Sequence, residues 1–168
     1  TERPLAWAAA GAGSFGARRM SAGAGAGLGA LRVLFALSYR GTDGDFSYYE
    51  PGNRTASAGR VAERVNNGGD SLDGLYRVCL GAPTARSTGC LLVLGGWLHR
   101  GVAGPGETAV VGPFQEQRRI LAWASWDWRR EAWDLGLSAT AMVRGDLFEG
   151  RGAAGGASIT GYRATSDT

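Results

Sequence analysis

From Leu31 to Arg40 the chain sorts by parity, with Leu31, Val33, Phe35, Leu37 and Tyr39 on odd positions and Arg32, Ala36, Ser38 and Arg40 on even ones. A period of two belongs to a strand, whose successive side chains point to opposite faces. The same alternation places strands near Leu5–Gly13, Arg19–Leu28, Leu31–Tyr39, Leu72–Leu80, Cys90–His99, Ile120–Arg129 and Trp133–Val143. The connections at Gly29–Ala30, Gly81–Gly89 and Arg130–Ala132 are short and rich in turn residues, whereas those over 40–71, over 100–119 and after Arg144 are long. Short and long connections therefore fall at opposite ends, apart from the short one around Phe15–Arg18, which lies at the long-loop end. This predicts an all-β fold, an antiparallel up-and-down meander of about seven strands, each beside its sequence neighbour.

In a transmembrane barrel one strand face meets lipid and the other a wet lumen, with short turns on the periplasmic side and long loops outside. The chain fits a partial transmembrane β-barrel with an open edge. A soluble β-rich module built of half-buried strands shows the same alternation. A small complete outer-membrane barrel needs an even strand number, commonly about eight or more, and the tail offers one further segment around Ser158–Tyr162. Tryptophan placement separates these readings. Trp126 and Trp128 close one strand on the parity of Ile120, Ala122 and Ala124, and Trp133 opens the next on the parity of Leu135, Leu137, Ala139 and Ala141. Indole rings favour the membrane–water interface, so three tryptophans at turn height on apolar parity predict a membrane-interface girdle. Ser125, Asp127, Arg129, Asp134, Ser138 and Thr140 take the opposite parity.

Charge and composition narrow the classes. The formal charge is +3, all basic side chains are arginine, and these are scattered rather than clustered, so no nucleic-acid partner is expected. Absence of lysine amid abundant Ala, Gly and Arg matches a GC-rich genome. Among the 29 glycines, Gly23, Gly25 and Gly27 alternate with Ala22, Ala24 and Ala26 between Met20 and Leu28, which suits a strand face where bulk is unwelcome. No run of about eighteen apolar residues exists, which excludes a spanning helix and says nothing of strands.

Catalytic chemistry finds no constellation. His99, the single histidine, sits near a strand end close to Trp97 and Arg100 without an identifiable nucleophile. Asp43 and Asp45 share one face of an extended segment without a catalytic spacing. The clusters Gly11-Ala12-Gly13 and Gly23-Ala24-Gly25 do not form a strand–loop–helix phosphate cradle. No enzyme activity, cofactor or metal site is expected. Cys79 and Cys90 bracket the connection 80–89, where a hairpin disulfide and two unbonded thiols both remain open.

Gly41-Thr42-Asp43-Gly44-Asp45-Phe46-Ser47-Tyr48-Tyr49, followed by Arg64-Val65-Asn66-Asn67 and Ser71-Leu72-Asp73-Gly74-Leu75, resembles the barrels of TonB-dependent outer-membrane receptors. In these a strand ends in Gly-Asp-Phe-x-Tyr, an outer loop follows, and Arg-x-Asn-Asn leads into the next strand. Gly13-Ser14-Phe15-Gly16 is similar to the turn that often opens that barrel, and Gly101-Val102-Ala103-Gly104 to a later outer loop, with Ala103 where proline is usual. The resemblance implies a location in the bacterial outer membrane and a wall segment spanning 1–168, cut from a barrel of about 22 strands around a plug. It implies long extracellular loops over 40–71 and 100–119, and uptake of a scarce ligand such as an iron chelate or cobalamin. The implied partners are the lipid bilayer, a small-molecule ligand at the extracellular loops, and the TonB complex acting through a plug outside this chain. Because arginine and tyrosine bind anionic or aromatic groups, Asp45, Tyr48, Tyr49, Arg54, Arg60 and Arg64 are the candidate ligand contacts. Solvating or packing the loops is the competing role for each of them.

Overall fold

The computed structural model describes residues 4–50, 59–64, 68–81, 85–102, 113–151 and 158–167; residues 50, 60, 64, 150, 151 and 158–167 are described in backbone alone. The strands in chain order are β1 (Leu5–Ala12), β2 (Arg18–Leu28), β3 (Leu31–Thr42), β4 (Phe46–Glu50), β5 (Arg60–Arg64), β6 (Gly69–Leu80), β7 (Ser87–Gly101), β8 (Phe114–Arg130), β9 (Trp133–Arg151) and β10 (Ser158–Asp167). No helix occurs among the described residues. Eight strands form one sheet in the order β1-β2-β3-β6-β7-β8-β9-β10, and β4 and β5 form a separate hairpin between β3 and β6. Every pairing is antiparallel.

This is the expected up-and-down meander with an open edge, since β1 and β10 do not pair with each other. The added strand is β10, which reaches Asp167 and so outruns the segment around Ser158–Tyr162. Other strands also overrun their expected ends: β8 begins at Phe114 rather than Ile120, and β9 ends at Arg151 rather than Val143. Apolar alternation stops where the apolar face stops, whereas a backbone ladder continues as long as the partner offers N–H and C=O groups. Here Phe114 pairs with Glu149 and Gln117 with Asp146, well past the last apolar alternation. At the short end, Leu28 opposite Leu31 closes a two-residue turn, and Gly29 supplies the positive φ of 61° that such a turn demands.

The register makes each face a set of rows running across strands. One row contains Trp7 of β1, Ala36 of β3, Leu75 of β6, Leu94 of β7 and Met142 of β9. On a flat sheet, Trp7 and Met142 would lie six strand spacings of about 4.8 Å apart, roughly 29 Å. They line one cavity of about 480 Å³ together with Ala36, Leu75 and Leu94. The sheet is therefore curled, with this row on its concave face.

The opposite, convex face carries Val33, Phe35, Leu37, Ile120, Leu137 and Val143. Five of these (Phe35, Leu37, Ile120, Leu137 and Val143) are between 40% and 62% exposed. Cys79 is the single buried hydrophobic residue among those described. The large apolar side chains are thus arranged on a surface instead of in a core.

Candidate functional site

On the convex face, charge is confined to the two ends. Near the long loops one register row carries Arg18, Gly41, Asp70, His99 and Glu116. Tyr39 donates its hydroxyl hydrogen to Asp70, and Arg18 Nε donates to Tyr39 Oη at 3.3 Å. Trp97 Nε1 and Arg118 Nε both donate to Glu116 Oε1, at 3.1 and 2.6 Å. His99 stacks on Trp97 with ring centroids 6.0 Å apart and lies 4.9 Å from Phe114. The lone histidine is thus part of an aromatic rim. Below this rim, the rows from Ala22–Leu37–Gly74–Gly95–Ile120 down to Leu28–Leu31–Leu80–Gly89–Trp126 hold no charged residue.

Trp126, Trp128 and Trp133 occupy the short-turn end of this same face and are 52%, 40% and 49% exposed. Trp128 and Trp133 meet edge to face at 5.6 Å, and the Arg130 guanidinium lies 5.6 Å from the Trp128 ring centre. Asp127 and Arg129 take the other parity. Trp126 leans across Gly89, its register partner, where an added Cβ would stand 2.5 Å from Trp126 Cε3. On the concave face Trp7 does the same over Gly23, at 2.6 Å from its Nε1. An aromatic ring over an opposing glycine recovers packing that the bare backbone lacks. This explains why bulk is unwelcome at Gly23 in the alternating Gly/Ala stretch.

Charge on the concave face is spread over its height and linked across strands. Arg119 reaches Asp73 at 3.3 Å, Arg144 holds Asp146 at 2.8 Å, and Gln117 donates to Asp146 at 2.7 Å. Arg100 donates twice to Gln115 Oε1, at 3.0 and 2.7 Å. Sequence reading missed this assembly. Its members sit on polar parity, but which arginine faces which aspartate depends on register between strands, and no single segment encodes that.

The candidate loop contacts separate. Tyr48 shares a side of the β4–β5 hairpin with Phe46, ring centroids 6.2 Å apart, and Phe46 meets Phe15 at 5.8 Å. Tyr48 thus belongs to an aromatic chain that packs the hairpin onto the β1–β2 turn. Tyr49 points the other way and is 66% exposed; Asp45 is exposed before the hairpin. Arg60 and Arg64 are placed as register partners of Glu50 and Phe46, and Arg54 lies outside the described residues. Asp43, by contrast, is tied to Arg18 at 3.5 Å.

Cys79 and Cys90 face each other directly in the β6–β7 ladder and are joined by a disulfide, with Cα atoms 4.1 Å apart. Among the described residues no group of three or more His, Cys, Asp or Glu side chains could hold a metal. No protein-family profile matches this chain, and no curated protein sequence matches it at a significant level.

Proposed function

We propose that the chain forms part of the wall of an outer-membrane β-barrel, and that this barrel is a TonB-dependent receptor for a scarce ligand such as an iron chelate or cobalamin. The observation that carries the membrane reading is the contrast between faces: the convex one has a charge-free band bounded by aromatic rims, and the concave one carries charge in its rows on both sides of the single apolar row of Trp7, Leu75, Leu94 and Met142. From Arg118 to Trp128 is ten residues, about 33 Å along a strand at about 3.3 Å each. At the tilt of about 40° usual for such barrels this is about 25 Å of height, matching their apolar band. Covering half-exposed side chains such as Phe35, Ile120 and Leu137 with lipid is worth about 1 kcal/mol each.

The receptor reading rests on the ordered motifs from Gly13 to Gly104. In it, the loops that carry Asp45, Tyr49 and the β5 arginines face outward, and the concave face borders the passage. The disulfide fits an exported chain, because such bonds persist in oxidising compartments. A small complete barrel is favoured by the even number of strands in the sheet; the unpaired β1 and β10 edges weigh against it. Fluorescence quenching by brominated phospholipids tests the membrane reading. In vesicles, Trp126, Trp128 and Trp133 should be quenched most strongly by lipids brominated near the headgroup. If those tryptophans escape every brominated lipid while the chain stays folded in water, a soluble β-rich module replaces this reading.

A further inference from the structure

Two pairs of arginines stand directly opposite one another on the concave face: Arg119 with Arg144 across β8 and β9, and Arg19 with Arg40 across β2 and β3. Directly opposed residues bring their Cβ atoms to about 4.5–5.5 Å, and like charges so placed destabilise a sheet. The first pair is compensated, since Arg119 binds Asp73 and Arg144 binds Asp146. The second is not: both side chains are exposed, and neither has an ion-pair or hydrogen-bond partner among the described residues. Their row continues into Gly11 on one side, where even an added Cβ would meet nothing within 4 Å, and into Ser71 on the other. Asp73, one row below, is engaged by Arg119.

We propose that Arg19 and Arg40 form a binding site for a soluble oxyanion, a phosphate- or carboxylate-bearing solute, with the Ser71 hydroxyl beside it. Two planar guanidinium forks borne at directly opposed positions of adjacent strands can each give paired N–H bonds to one anionic group. Gly11 leaves room for the rest of the solute. The solute's route to this site rests on the membrane-wall reading, whereas the site itself rests on the two arginines. A lipid headgroup offers the same chemistry, but the apolar band lies on the other face.

Inorganic pyrophosphate, titrated calorimetrically into the full chain folded in zwitterionic detergent at low salt, tests the site. Saturable binding that weakens with salt is expected, about tenfold weaker in Arg19→Gln or Arg40→Gln and abolished in the double variant. Arg118→Gln, on the convex face, should bind like the parent. Without pyrophosphate, Arg40→Gln should melt above the parent, and pyrophosphate should raise the parent's melting point towards it. Equal binding by the folded double variant overturns the inference, as does binding that appears only when anionic lipid is added. A chain folded in micelles that binds no pyrophosphate removes this inference and leaves the membrane wall standing. A chain monodisperse in water that binds it removes the membrane wall and leaves the anion site.

Discussion

At the scale of the residue, function turns on parity. Ala141 and Thr140 are neighbours in β9, yet Ala141 opposes Ala122 inside the charge-free band and Thr140 opposes Trp123 on the concave face. An arginine on a lipid-facing position near mid-membrane costs about 2–4 kcal/mol, while positions facing a lumen mainly tune what passes. Ala141→Arg is therefore expected to lower stability in phospholipid vesicles by about 2–4 kcal/mol, and Thr140→Arg by less than about 1 kcal/mol, as read from urea unfolding. Equal costs would mean that both faces meet the same medium. The glycines follow the same logic, because Gly89 and Gly23 accept a tryptophan ring from the opposing strand. Gly89→Val should push the Trp126 ring aside and shift its emission without altering Trp128, a change that single-tryptophan variants would resolve.

Elements were legible in the sequence to the extent that one face is continuously apolar. Leu31–Tyr39 could be read because five odd positions are apolar or aromatic, and Trp133–Val143 because the alternation runs on for five turns of the pleat. The outer ends of β8 and β9 were not legible: Gln115, Gln117 and Arg119 face Phe148, Asp146 and Arg144, held by a ladder that polar sequence does not advertise. The β4–β5 hairpin escaped notice for a related reason, since its packing depends on Phe46 reaching Phe15 about thirty residues earlier. The concave charge network was hidden because, apart from Arg144 and Asp146 within β9, its partners lie on different strands. Where two cysteines bracketed a connection, only register could decide between a bond and free thiols. The β6–β7 hairpin that the disulfide closes spans a sequence separation of 11, for which chain entropy predicts about 3 kcal/mol. The double variant Cys79→Ser with Cys90→Ser should lose roughly that much in urea unfolding, and reduction of the parent should match it. A parent indifferent to reductant would show that the ladder alone secures this hairpin.

For the whole molecule, the controlling fact is that the sheet ends in two strands that do not meet. β1, with sequence Leu-Ala-Trp-Ala-Ala-Ala-Gly-Ala, is exposed along its length and carries no charge and no proline. Natural sheets protect their edges with charges, prolines or bulges, because a row of free N–H and C=O groups recruits further strands. None of these devices is present in β1. In water its edge invites pairing with another chain, and the apolar convex face adds a second adhesive surface; in lipid, unpaired backbone groups cost several kcal/mol each. Within a longer barrel both liabilities vanish, since β1 and β10 gain neighbours and the convex face gains lipid. The 168 residues expressed alone are therefore expected to be insoluble, or polydisperse, without detergent and to have no transport activity of their own. Sedimentation and light scattering with and without detergent measure this directly. Replacing Ala8 and Ala10, on the convex side of β1, by lysine should improve dispersion in water while weakening insertion into vesicles, because charge blocks the edge but is costly against hydrocarbon. A monodisperse monomer that melts cooperatively in water would contradict the barrel-wall reading at its root, for it would require a buried core that the described residues do not have.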